Sequence, residues 1–89
     1  MHVTIEDAFG QTIRTLRKAR KMSQETLAEL SNLDRSFISH LECGKKQPSL
    51  VTIFQLAKAL KVTPSKIVSL TEEKQKASVE PGDDSASVD

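Results

Sequence analysis

Apolar residues recur three and four positions apart through the first 71 residues, the spacing of one face of an α-helix, and no strand-like pattern competes with it. The places where that rhythm starts and stops predict five helices. The first begins near Thr4, an N-cap hydroxyl followed three residues later by an acid, and carries Phe9, Ile13, Leu16 and Arg20 at helical spacing. Gly10 costs this helix some helicity and leaves room for a close neighbour. Ser23 opens the second helix with Gln24 and Glu25 in its first turn, and Leu27, Ala28 and Leu30 give it an apolar side. It stops at Ser31-Asn32, because asparagine tolerates the left-handed conformation that ends a helix. Asp34 caps the third helix, which runs to about Cys43 with Ile38 and Leu41 inward, and Gly44 closes it. After the basic loop Lys45-Lys46-Gln47-Pro48, Ser49 caps a fourth helix with Leu50, Ile53, Leu56, Ala57 and Leu60 at spacings of three and four. Thr63 caps a fifth, with Pro64 at its first position and Ile67 and Leu70 pointing inward.

Beyond Thr71 the apolar rhythm fades. Good helix formers at 72–77 extend the last helix, and the Ser, Gly, Pro and acidic residues of 78–89 read as disordered. The expected organisation is one compact all-α domain at 1–71 made of five short helices, followed at 72–89 by a helix extension and a disordered acidic tail. Charge follows the same division. Residues 1–71 hold 11 Lys and Arg against 6 Asp and Glu, whereas 72–89 hold 2 against 6, so the net charge of +1 conceals a basic body and an acidic tail. A basic body suggests a polyanionic partner.

Composition removes other classes. With 89 residues there is one domain at most and no large cleft between domains. No uncharged run approaches the ~20 apolar residues of a membrane span. The N-terminus lacks an apolar leader, and one cysteine cannot form an internal disulfide, so a cytoplasmic location is expected. His2, His40 and Cys43 are the candidates for catalysis or metal binding. His40 and Cys43 lie three apart on one helix, but a structural zinc site needs four ligands and no second pair exists. No enzyme activity, no metal and no cofactor is expected.

The stretch Gln24–Gly44, QETLAELSNLDRSFISHLECG, carries the functional signal. Two short helices flank a tight turn, Ala28 is small where they must cross, position 32 accepts a positive φ, and Leu33, Ile38 and Leu41 hold one helix against the other. This is the helix-turn-helix arrangement, whose second helix enters a DNA major groove. Three segments, FGQTIRTLRKARKMSQETLAEL, SFISHLECGKKQPSL and LAKALKV, in this order and spacing, resemble the phage repressor/Cro-type (XRE family) helix-turn-helix regulators. The resemblance covers about Phe9 to Leu70. The family usually has Gly where Asn32 stands, and often Arg or Asn where Cys43 stands.

The resemblance implies a repressor-like fold and a sequence-specific transcriptional regulator that binds double-stranded DNA as a homodimer on a palindromic operator. It also implies roles for residues. With Ile38 and Leu41 inward, Arg35, Ser36, Ser39 and His40 face outward to meet base edges, and arginine is suited to guanine O6 and N7. Outside this motif the same face would read as a solvated helix surface. Gln24, Lys45, Lys46 and Ser49 are placed for phosphates, and Arg17 and Glu42 for a partly buried ion pair between helices. Helices four and five remain for dimerisation, with Val51, Phe54, Val68 and Leu70 in excess of the inward stripe of Leu50, Ile53, Ala57, Leu60 and Ile67. Two rival readings are an antitoxin-like partner-binding protein and the controller protein of a restriction–modification system. The polar tail offers little to anchor a protein partner, against the first rival.

Overall fold

A computed structural model describes residues 3–77. Five helices form in this order: α1 at Ile5–Ala19, α2 at Gln24–Ser31, α3 at Arg35–Glu42, α4 at Leu50–Leu60 and α5 at Pro64–Ala77. No strand occurs among the described residues. The expected disordered tail at 78–89 lies outside them.

All five starts are capped as the residue types require. Thr4, Ser23, Asp34 and Ser49 accept the backbone N–H of Asp7, Thr26, Ser36 and Thr52 at 3.0–3.1 Å, and Thr63 accepts that of Lys66 at 3.1 Å. The first four helices also end alike. Lys21, Asn32, Gly44 and Lys61 adopt left-handed φ values of 57°, 60°, 75° and 57°. The next residue in each case donates its N–H five positions back: Met22 to Arg17, Leu33 to Ala28, Lys45 to His40 and Val62 to Ala57, at 2.9–3.1 Å. Asparagine and glycine suit this conformation. The two lysines hold it against the repulsion of their Cβ, a stop signal that residue type does not reveal.

One apolar core joins the helices. Phe9 and Ile13 of α1, Leu27 and Ala28 of α2, Ile38 and Leu41 of α3, Leu56, Ala57, Ala59 and Leu60 of α4, and Ile67 of α5 are buried together. α1 packs on α3 and α5, α2 on α3 and α4, and α4 on α5. Gly10 lets α1 lie directly on the end of α3: a Cβ there would press into the carbonyl oxygens of Leu41 and Glu42, the second at 2.7 Å.

Two inward assignments are corrected. Leu30 is 57% and Leu50 69% exposed. In α2 the buried stripe continues from Leu27 to Ser31, not to Leu30. Ser31 is accommodated there because its hydroxyl donates to Leu27 O at 2.6 Å. In α4 the stripe centres on Leu56 and includes the small polar Thr52, which leaves Leu50 about 120° round the helix. Leu70 is only half-buried, and Arg20 is an exposed C-cap outside the apolar stripe.

Candidate nucleic-acid interface

The tight turn Asn32-Leu33-Asp34 sets α3 across α2. Asn32 supplies the left-handed step, Leu33 packs on the core, and Asp34 starts α3. The Asp34 carboxylate accepts both the N–H and the hydroxyl of Ser36, and these bonds hold it below the ordinary carboxylate range. On α3, Ile38, Leu41 and Glu42 are buried and Phe37 is half-buried against the core. The opposite face presents Arg35, Ser36 and His40, all exposed, with Ser39 half-buried at its edge. Cys43, one turn beyond Ser39, is exposed on the same side as a free thiol. The spacing of four from Ser39 signals its place there.

Behind this face lies a polar network. Arg17 Nε and Nη2 donate to Glu42 Oε2 and Oε1 at 2.7 and 2.9 Å, a bidentate pair with both side chains nearly covered. Arg17 Nη1 donates to Met22 O at 2.8 Å, which ties down the segment leading into α2. The hydrogen bonds to Glu42 raise the Arg17 pKa against an opposing effect of burial. Gln24, the first residue of α2, donates its Nε2 to Glu42 Oε1 at 3.1 Å and accepts Arg35 Nη1 at 3.3 Å. The connection from Arg17 through Glu42 and Gln24 to Arg35 joins α1, α2 and α3. The motif marks its members, but only the folded arrangement links them.

Around the edge, Lys45 and Lys46 are exposed immediately after α3, and Gln24 is half-buried at the N-terminus of α2. Ser49 is exposed, with its hydroxyl occupied by the cap to Thr52. The leading N–H groups of α2 and α4 have no intrahelical partners, and helix N-termini favour anions. On α4 and α5, Leu50, Val51, Phe54 and Val68 are 51–69% exposed. Phe54 lines one shallow groove with Val51 and another with Leu50 and Val68, so these side chains form a continuous apolar surface. It adjoins a half-open cleft of about 240 Å³ lined by Ile5, Phe9, Pro48, Ile53 and Val68. Among the described residues, no helix is long and apolar enough to cross a membrane.

A capped two-helix motif on a five-helix core, with a basic and hydrogen-bonding face on its second helix, defines the class of DNA-binding transcriptional regulators. A family model described as helix-turn-helix matches residues 13–67, and the chain belongs to that family. It is 44% identical over 59 residues to the immunity repressor of Bacillus phage phi105, covering 66% of this chain and 41% of the repressor. It is 41% identical over 64 residues to the control protein C.BamHI of Bacillus amyloliquefaciens, covering 71% of this chain and 79% of that protein. Among solved structures, the restriction–modification controller protein C.AhdI of Aeromonas hydrophila matches with a TM-score of 0.68 and 48% identity, over 70% of this chain and 94% of that one.

Proposed function

We propose that two copies of this chain bind a palindromic duplex, each placing α3 in the major groove, and that Arg35, Ser36, Ser39 and His40 read base edges there. The observation that carries the reading is the exposed face of α3 opposite Ile38 and Leu41, with Arg35 at the helix start. Arg35 supplies the strongest discrimination, through paired hydrogen bonds to a guanine. The Ser39 position at the edge of the face suits a flanking contact. Lys45 and Lys46 act on phosphate, as do Gln24 through its second amide hydrogen and Ser49 through the N-terminus of α4. The chain has no catalytic task in this reading.

One recognition helix covers only a few base pairs, whereas a two-fold pair spaced by roughly 34 Å covers two half-sites on one face of the duplex. α3 packs against α1 and α2, which leaves the apolar surface of α4 and α5 for the second copy. Val51, Phe54 and Val68 would be covered in that pairing. Leu50 joins them, and Leu70 contributes from the margin.

Selection from random duplex DNA, followed by binding assays across salt concentrations, tests this reading. A two-fold symmetric motif should emerge. Arg35→Ala should cost ~1–3 kcal/mol on the selected site and relax preference at one base pair per half-site. Lys46→Ala should weaken all duplexes alike and flatten the salt dependence. Recovery of no motif would sink sequence-specific binding.

Within this class, a restriction–modification controller is favoured by one observation: the similarity to C.AhdI extends over 94% of that chain at 48% identity. The selected motif should then lie upstream of this protein's own gene and beside genes for a methyltransferase and an endonuclease.

A further inference from the structure

Gln24 is joined to two charged groups at once. Glu42 is a carboxylate and can only accept hydrogen bonds, whereas Arg35 is a guanidinium and can only donate them. An amide between them has one satisfactory orientation, with Nε2 toward Glu42 and Oε1 toward Arg35, and this is the arrangement observed at 3.1 and 3.3 Å. The Glu42 end is fixed in turn. Its carboxylate is buried in the bidentate pair with Arg17, on the closely packed contact between α1 and α3 that Gly10 permits. The Arg35 end is exposed and has no other hydrogen bond among those recorded for described residues.

We propose that Gln24 is a positioning residue for base recognition: anchored by the buried Glu42 carboxylate, it holds the Arg35 guanidinium in place at the start of α3. This rests on the reading above that Arg35 meets a base. It adds that the specificity of Arg35 is set from outside the recognition helix. A free arginine has several rotatable bonds and can reach phosphates or bases at neighbouring steps. Immobilising one of its nitrogens beforehand removes part of the entropic cost of forming a defined contact and disfavours alternative ones. The buried ion pair thereby contributes to discrimination as well as to the packing of α1 on α3. A residue that only touched phosphate would change affinity for every duplex equally.

The test compares affinity for a duplex recovered by selection with affinity for its single-base-pair variants. Gln24→Lys retains a donor for Glu42 and strengthens attraction to phosphate, but offers Arg35 no acceptor. Affinity for unrelated duplex should hold or rise, while the ratio of selected to altered site falls about fivefold to tenfold at the base pair that Arg35 reads. Gln24→Leu, which carries neither donor nor acceptor, should lower the same ratio, and it provides the test if the lysine variant fails to fold. In an Arg35→Ala background neither substitution should change the ratio further. Gln24 variants that melt like the parent and change all duplexes by one common factor would overturn the proposal. An Arg35→Ala ratio equal to that of the parent would overturn the base-reading assignment beneath it, and the two failures are thus distinguishable.

Discussion

Thr12 shows how a single atom can be expensive in so small a core. Its side chain is almost fully buried on α1, and its hydroxyl has no hydrogen-bond partner, unlike Ser31 and Thr71, which donate to the carbonyls of Leu27 and Ile67. An unsatisfied buried hydroxyl costs about 1–3 kcal/mol. Thr12→Val keeps the branched shape and removes that hydroxyl, so the unfolding free energy should rise by about 1 kcal/mol in a urea titration. The Arg17–Glu42 pair behaves oppositely. Arg17→Met leaves the Glu42 carboxylate buried without its partner, and should cost about 3–5 kcal/mol, a large part of the stability of a domain this size. Restoring the balance with Glu42→Leu in the same chain should recover much of that loss, measured by the same titration.

At the scale of elements, the helix ends divide into conventional signals and costly ones. Lys61 ends α4 at φ 57°, where a Cβ is unfavourable and glycine is not. Lys61→Gly should therefore raise the midpoint of unfolding, by about 0.5–1 kcal/mol once the greater freedom of glycine in the unfolded chain is offset. Asp34 gives the start of α3 a dependence on pH. Its carboxyl pKa is lowered in the fold by the Ser36 hydroxyl and N–H, so its stabilising effect is fully present above the ordinary carboxylate pKa of about 3.9. That effect is lost as pH falls through the lower, folded value. Asp34→Asn retains an acceptor for the cap but does not titrate, so its melting temperature should decline less than the parent's over the same acidic range.

At the scale of the whole molecule, the apolar surface of α4 and α5 and the polar face of α3 are carried on separate packing contacts. Val68→Glu places a charge in the middle of the apolar surface, where Val68 is 51% exposed and holds no part of the buried core. The variant should fold, sediment as a monomer at micromolar concentration, and bind the selected duplex much more weakly than the parent. Parent protein that sediments as a monomer yet protects a two-fold site would show that DNA, and not this surface, brings two copies together.

The order of helices, their caps, and the helix-turn-helix between Gln24 and Gly44 are legible in the chain because they depend on local chemistry: hydroxyl or carboxylate at N-caps, apolar residues three and four apart, Asn32 and Gly44 at left-handed positions. Such signals act within one or two turns. The outward turn of Leu30 and Leu50 was decided elsewhere, by which face of α2 and α4 met a neighbouring helix and by the capacity of Ser31 and Thr52 to be buried. Lys21 and Lys61 occupy left-handed positions because the fold requires a stop there, even though their residue type does not favour one. The link from Glu42 through Gln24 to Arg35 spans residues 11 and 18 positions apart, so it exists only once α1, α2 and α3 are packed. Periodicity and capping determined the elements; close packing decided which side chains of those elements could reach one another.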